Sequence, residues 1–225
     1  MNNYGKKWTD SDESTLKSLL DKKKSFSEIA NVLGRTELAI KLRSRIVEYK
    51  EIILNRNIKS LVHFTSVWNA FSIGKYGVRS VEELSKLEIE YHNNDETRLD
   101  KMLNFISLSI SKPNSFLLKE FHKRNPRDWI KFYINPEVIF RNEVYFFYTN
   151  AASSIFPEKK DNDIFSTSKS FENMFADNIN THKNSLNRAN LKRNLNETTC
   201  EQAEILIKGK IPTNNILGWE KLDVS

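Results

Sequence analysis

At 225 residues the chain is long for one domain and suits a small domain followed by one of medium size. Hydrophobic residues make up 39%, with 14 Phe, 7 Tyr and 4 Trp, ample for a buried core, and the net charge is +6. The single cysteine, Cys200, excludes an internal disulfide, four scattered histidines (His63, His92, His122, His182) give no zinc spacing, and no apolar run approaches the roughly 20 residues of a membrane span.

The chain begins MNNYGKKW, polar and basic with no apolar segment behind it, so it does not read as a signal peptide. The expectation is a soluble cytoplasmic monomer without metal. Residues 1–50 hold eleven Lys/Arg against seven Asp/Glu, so most of the excess charge lies there, which favours a polyanionic partner. Residues 8–49 read as three short helices. Trp8 precedes a capping run, Thr9-Asp10-Ser11-Asp12-Glu13, and Leu16, Leu19 and Leu20 follow at helical spacing. Ser25 or Ser27 caps a second helix with Ile29, Val32 and Leu33 inward, and Gly34 stops it. Thr36 caps a third, with Ala39, Ile40 and Ile46 inward and Lys41, Arg43 and Arg45 mostly outward. Two helices joined by a tight Leu-Gly-Arg-Thr turn form a helix-turn-helix pattern. The stretch from Trp8 to Ile46 resembles the Myb/SANT-like family, although that family's second and third tryptophans are missing. The resemblance implies a third helix in the DNA major groove, with Lys41, Arg43 and Arg45 as DNA contacts. A linker is expected over 50–58.

Beyond it the pattern changes. Apolar runs of strand length fall around 59–64, 105–111, 129–134, 144–148, 203–208 and 215–220, and helical segments at 66–73, 81–88, 115–123 and 170–176. Two stretches have loop composition, 157–170 and 177–198, the second rich in Asn and basic side chains. Residues 59–225 thus read as one α+β domain. Near its end stands Thr198-Thr199-Cys200-Glu201-Gln202-Ala203-Glu204. In a strand, Gln202 and Glu204 would share one face. A carboxylate beside an amide at a strand edge suits chemistry on a sugar. By itself the pair reads as readily as the solvent face of an edge strand.

Several motifs stand in one order. They are His63-Phe64-Thr65, then Gly77-Val78-Arg79-Ser80-Val81-Glu82-Glu83-Leu84, then Asn94-Asp95-Glu96-Thr97-Arg98-Leu99-Asp100. Ile106 through Asn114, Asn150-Ala151-Ala152-Ser153-Ser154, Phe171-Glu172-Asn173-Met174-Phe175, and Thr198-Thr199 with Gln202-Ala203-Glu204 follow. Together they resemble the DarT family of DNA ADP-ribosyltransferases over about residues 59–219. The resemblance implies a split-sheet ADP-ribosyltransferase fold that binds NAD as co-substrate in a central cleft. It makes Glu204 and Arg98 the catalytic pair. His63, Thr65, Asn94, Ser107 and Arg98 become cofactor-binding, with Ser109 and Asn114 as weaker candidates. Gln202, Asn150, Arg188, Lys192 and Arg193 become DNA-binding, and Lys183 joins them on the Asn-rich loop. Pro113-Asn114 departs from the thymine-modifying branch and looks more like the guanine-modifying one. The resemblance also implies a toxin with a macrodomain-type or similar hydrolase as antitoxin, or a phage-defence role. The competing expectations are transfer to RNA or protein, and a DNA-binding regulator with a degenerate sensing domain.

Overall fold

The protein is described from a computed structural model that covers residues 3–93, 101–140, 143–157 and 162–224. It divides into two compact units, Met1–Leu54 and Asn55–Ser225. No described helix is long and apolar enough to cross a membrane.

The first unit holds three helices: α1 (Asp10–Asp21), α2 (Phe26–Leu33) and α3 (Glu37–Asn55). Local chemistry sets their ends. Thr9 and Ser25 each form a reciprocal capping box, with Asp12 and Glu28 respectively. Gly34 ends α2 in the left-handed conformation, at φ 63°. Leu16, Ile29, Ala30, Leu33, Ile40 and Val47 form the buried core, with Trp8, Leu19 and Leu20 against it. The inward face differs in detail from the spacing-based expectation: Val32 is 64% exposed, and Val47 rather than Ile46 is buried. Helix α3 also runs to Asn55, through most of the expected linker.

Arg43 corrects the expected outward stripe. Its guanidinium pairs with Glu13 and lies 5.4 Å from the Trp8 ring, while Arg35 stacks on the same ring at 4.1 Å. Arg43 ties α3 to α1, and Arg35, from the turn after α2, ties that turn to α1 through Asp12. Lys41 is exposed and Arg45 is half-buried.

The second unit is built on strands β1 (Leu61–Ser66), β2 (Val78–Arg79), β3 (Phe105–Ile110), β4 (Trp129–Ile134), β5 (Val144–Phe147), β6 (Asn178–Asn180), β7 (Ser185–Asn187), β8 (Glu204–Lys208), β9 (Lys210–Ile211) and β10 (Ile216–Leu222). Its helices are α4 (Ala70–Tyr76), α5 (Val81–Lys86), α6 (Ser115–Arg124), α7 (Asn162–Phe165) and α8 (Ser168–Asn173). Six strands form one antiparallel sheet in the order β10-β4-β1-β3-β8-β5. All six lie where β-branched and aromatic runs stand in the sequence.

The sheet is split at its centre. Strand β1 pairs with β4 over all six of its residues, but with β3 only at Leu61↔Ile110 and Val62↔Ser109. From His63 onward β1 and β3 are no longer laddered, which opens a cleft along the sheet. On one side of the split, β5 and β8 are buried almost throughout, covered by Phe165, Phe156 and Ala151 on one face and by Phe171 stacked on Phe146 at 4.5 Å. Strands with both faces covered read as continuous apolar runs, and VYFF and ILI do.

Candidate active site

The cleft is lined by the open ends of β1 and β3, by α4, β2 and α5 above them, and by α6 on the far side. Successive residues of a strand alternate faces, so Ser107 and Ser109 of β3 line it together, as do His63 and Thr65 of β1. Glu204 enters from the first position of β8.

These side chains are joined. Glu204, 8% exposed, accepts from the Ser107 hydroxyl at 3.1 Å on Oε1 and from the Ala151 backbone N–H at 2.8 Å on Oε2. Donors on both oxygens fix the plane of the carboxylate. The His63 ring places Nδ1 3.2 Å from the Ser107 carbonyl. A proton on Nδ1 donates to that carbonyl, so the neutral ring presents Nε2 as an acceptor. One residue of β3 therefore positions both the histidine and the glutamate.

Thr65 is buried, and its hydroxyl accepts from the Asn69 amide at 2.8 Å. Asn69 also clasps His92 in both directions, donating to its carbonyl at 2.9 Å and accepting from its N–H at 2.8 Å. That clasp fixes residues 91–93 over the rim of the cleft. The resemblance gave Asn69 no role. The four-residue spacing from Thr65 across a strand end was its only signal in the sequence.

Gly77 is required where it stands. Its φ is 78°, and an added Cβ would sit 2.2 Å from the Ile211 carbonyl oxygen. The close approach lets β2 pair with β9 at Val78↔Ile211 and Arg79↔Lys210. Arg79 thereby reaches the cleft, with Nη1 3.4 Å from Glu83 and Nε buried with no hydrogen-bond acceptor among the described residues.

The remaining expected site residues fall in different places. Asn94 and Arg98 lie outside the described residues. Gln202 is corrected: β8 begins only at Glu204, and Gln202 sits in the turn closed by Ala203 N–H to the Cys200 carbonyl, so the two do not share a strand face. Asn150 spends its side-chain oxygen on the Ala152 N–H at 2.8 Å, shaping the turn that aims the Ala151 N–H at Glu204. Its place is in the support of the carboxylate.

Arg188 is also corrected. It is 9% exposed and donates to the carbonyls of Glu197 at 2.7 Å and Asn194 at 2.5 Å, and to the Thr199 hydroxyl at 3.3 Å. Burial lowers its pKa from the ordinary guanidinium value. A guanidinium occupied in this way is the scaffold of the Asn-rich loop and does not face a strand of nucleic acid. The loop itself is ordered: β6 and β7 pair from Asn178↔Asn187 to Asn180↔Ser185, and Thr199 ties back to Met174 and Ala176. Glu197 accepts from Asn194 and pairs with Lys112, whose ammonium, with the Asn194 donors, holds its carboxyl at about 2. Lys192 and Lys183 are exposed, and Arg193 is half-buried with Nε 3.3 Å from the Thr199 carbonyl. Arg193 lines a second hollow with Lys112, Lys131, Ser115, Thr198 and Glu201.

A family model described as "ssDNA thymidine ADP-ribosyltransferase, DarT" matches residues 62–219, more than half of the chain and all of the cleft. The chain belongs to the DarT family. That family is one of ADP-ribosyltransferases, as its description says. Among solved structures, Thermosipho africanus DarTG in complex with ADP-ribose is similar over 73% of this chain and 44% of its own, at 16% identity and a TM-score of 0.48. The chain thus spans less than half the length of that protein. No curated protein matches the chain.

Proposed function

We propose that the chain transfers ADP-ribose from NAD to a base of single-stranded DNA, guanine in preference to thymine. The observation that carries this is Glu204, held by Ser107 and Ala151 in a cleft that also presents His63. Chemistry requires such a group. The bond between nicotinamide and ribose breaks with its electron pair leaving on the nicotinamide nitrogen, and positive charge develops at the ribose C1′. A fixed carboxylate stabilises that charge without reorganising. A base nitrogen then bonds to C1′, and Glu204 accepts the proton it loses. His63, through Nε2, accepts from a hydroxyl of the adenosine-side ribose. Arg79 joins Arg98 as a cation for the pyrophosphate, since a planar guanidinium matches phosphate oxygens.

The guanine preference rests on Pro113-Asn114. Lys183, Lys192 and Arg193 serve the DNA backbone from the Asn-rich loop. Lys41 and Arg45 of the first unit, in its Myb-like helix-turn-helix role, contact duplex phosphates. The protein acts as a cytoplasmic monomer and as a toxin, paired with a macrodomain-type or similar hydrolase or released by phage infection. The deciding experiment incubates the chain with NAD and four single-stranded oligonucleotides, each lacking one base, followed by the mass of the modified nucleoside. An ADP-ribose adduct on deoxyguanosine is expected. Adducts on thymidine would correct the base, and NAD turnover on RNA or protein with none on DNA would sink the reading.

A further inference from the structure

The second hollow opens beside the cleft and shares Ser109 with it. Its volume, about 380 Å³, falls within the range of small-ligand sites. Two charged side chains line it from separate elements, Lys131 from β4 and Glu201 from the turn before β8. No ion pair joins them: Lys131 reaches Glu220 at 3.1 Å, and Glu201 accepts from the Ser115 hydroxyl at 3.1 Å on Oε2. The Ser115 bond fixes that carboxylate, and no described residue donates to its Oε1. The other carboxylate of the hollow, Glu197, is already taken by Lys112 and Asn194.

A cation and a carboxylate kept apart in one hollow match a ligand with acceptors along one edge and donors along the next. Of the four DNA bases, guanine alone has that pattern, with N7 and O6 as neighbouring acceptors and N1–H and N2–H as neighbouring donors. An ammonium donates to N7 and O6, and the two oxygens of a carboxylate accept from N1–H and N2–H together. Thymine sets a carbonyl on each side of its N3–H, so one carboxylate oxygen would face another oxygen. Adenine and cytosine set their amine beside a bare ring nitrogen, with the same repulsion.

We infer that the hollow reads a guanine next to the base that is modified, with Lys131 at N7 and O6 and Glu201 at N1 and N2. This rests on single-stranded DNA as the substrate. The guanine in the hollow is not the modified base, because Glu204 lines the cleft and not the hollow. Ser109, common to both, sets the two bases side by side along one strand, and Arg193 at the edge of the hollow meets the backbone phosphate. The transferase thereby gains a sequence context that its chemistry does not require.

The test uses the full chain, NAD and short single-stranded oligonucleotides in which each neighbour of the modified base is in turn guanine, inosine, adenine, thymine or cytosine. The adduct is mapped by fragment mass, and kcat/KM is compared. Inosine lacks only the N2 amine, so it tests the carboxylate contact without altering the protein. Guanine at one neighbouring position should raise kcat/KM by about tenfold or more over the other DNA bases, and inosine there should lose most of that gain. Glu201→Gln exchanges one acceptor for a donor and should bring all five neighbours within about twofold of one another, with melting temperature as the check on folding. Four results overturn the inference and leave transfer to DNA standing: no neighbour preference, inosine equal to guanine, a guanine preference that survives in Glu201→Gln, or transfer abolished with every neighbour in that variant. A wild-type chain that modifies no oligonucleotide overturns both.

Discussion

A carboxylate that stabilises charge on a sugar must not turn away as the charge forms, and Glu204 is held on both oxygens. Glu204→Gln keeps the volume and removes the negative charge. Transfer should fall by at least a hundredfold, in line with the roughly 3 kcal/mol that an electrostatic stabiliser of this kind supplies. Near-normal single-turnover transfer by a folded variant would remove Glu204 from the chemistry. Ser107→Ala leaves the charge and frees one oxygen. About a tenfold fall in kcat is expected with the KM for NAD little changed, because the hydroxyl acts on the orientation of Glu204 rather than on NAD. A fall in KM-dependent binding alone would place Ser107 on the ligand instead. The sequence singles out His63, Ser107 and Glu204 only through their motif. Their connection is not legible there, since Ser107 stands 97 residues from Glu204 and 44 from His63. Arg188 shows the opposite failure. Its basic neighbours made it look like a phosphate contact, and only the fold reveals that loop carbonyls surround it.

At the scale of elements, two turns each depend on a feature that can be removed singly. Gly77→Ala forces a Cβ at positive φ against the Ile211 carbonyl, and backbone on backbone cannot relax by rotamer change. Melting should drop by several degrees, with β2 and β9 losing amide-exchange protection first. Unchanged melting would show that the β2–β9 pairing is adaptable. The loop from Arg188 to Thr199 is fixed by Arg188 on one side and Glu197 on the other. Arg188→Met leaves several loop carbonyls unpaired, at about 3 kcal/mol. Proteolysis between residues 189 and 197 should become fast while the rest of the chain stays intact. Glu197 sets a pH limit. Its folded pKa, about 2, lies below the ordinary 4.5, so its contribution is complete above 4.5 and disappears as pH falls toward 2. A Glu197→Gln variant should therefore be less stable than wild type at pH 7, and the two should converge near pH 2. All six strands of the sheet were legible, because β-branched and aromatic runs of strand length mark them. The hairpin β6–β7 was not: Asn178, Asn180, Ser185 and Asn187 are polar, one apolar residue in each strand (Ile179 and Leu186) is too little signal, and side-chain amide bonds such as Asn187 to Asn178 add to the pairing.

At the scale of the whole molecule, the chain divides its charge and its chemistry between two units. The first carries half of the net positive charge in about a quarter of the residues, and every described residue of the cleft belongs to the second. The sequence placed the division within 50–58, and the contacts place it between Leu54 and Asn55, where α3 ends. A chain beginning at Asn55 keeps Arg56, which stacks on Phe175 at 4.7 Å, and the buried Ile58, so the second unit loses nothing that belongs to it. That shortened chain should retain NAD-dependent transfer to a short oligonucleotide at high concentration. On long DNA it should lose efficiency, because a tethering unit raises the local concentration of substrate around the active site. The salt dependence of DNA binding reports the same division. Each phosphate contact contributes about one unit to the slope of log affinity against log salt, so loss of Lys41 and Arg45 should lower it by roughly two. Arg43→Ala in the full chain should act otherwise. Its partner is Glu13, so it should lower melting temperature and leave the salt slope nearly unchanged. Duplex affinity, melting and transfer rate at two salt concentrations, compared for the full chain, the shortened chain and the Arg43→Ala variant, separate these effects. Equal duplex affinity with and without the first unit, together with a large loss of melting temperature on shortening, would make the three helices a stabilising element of the transferase rather than its tether.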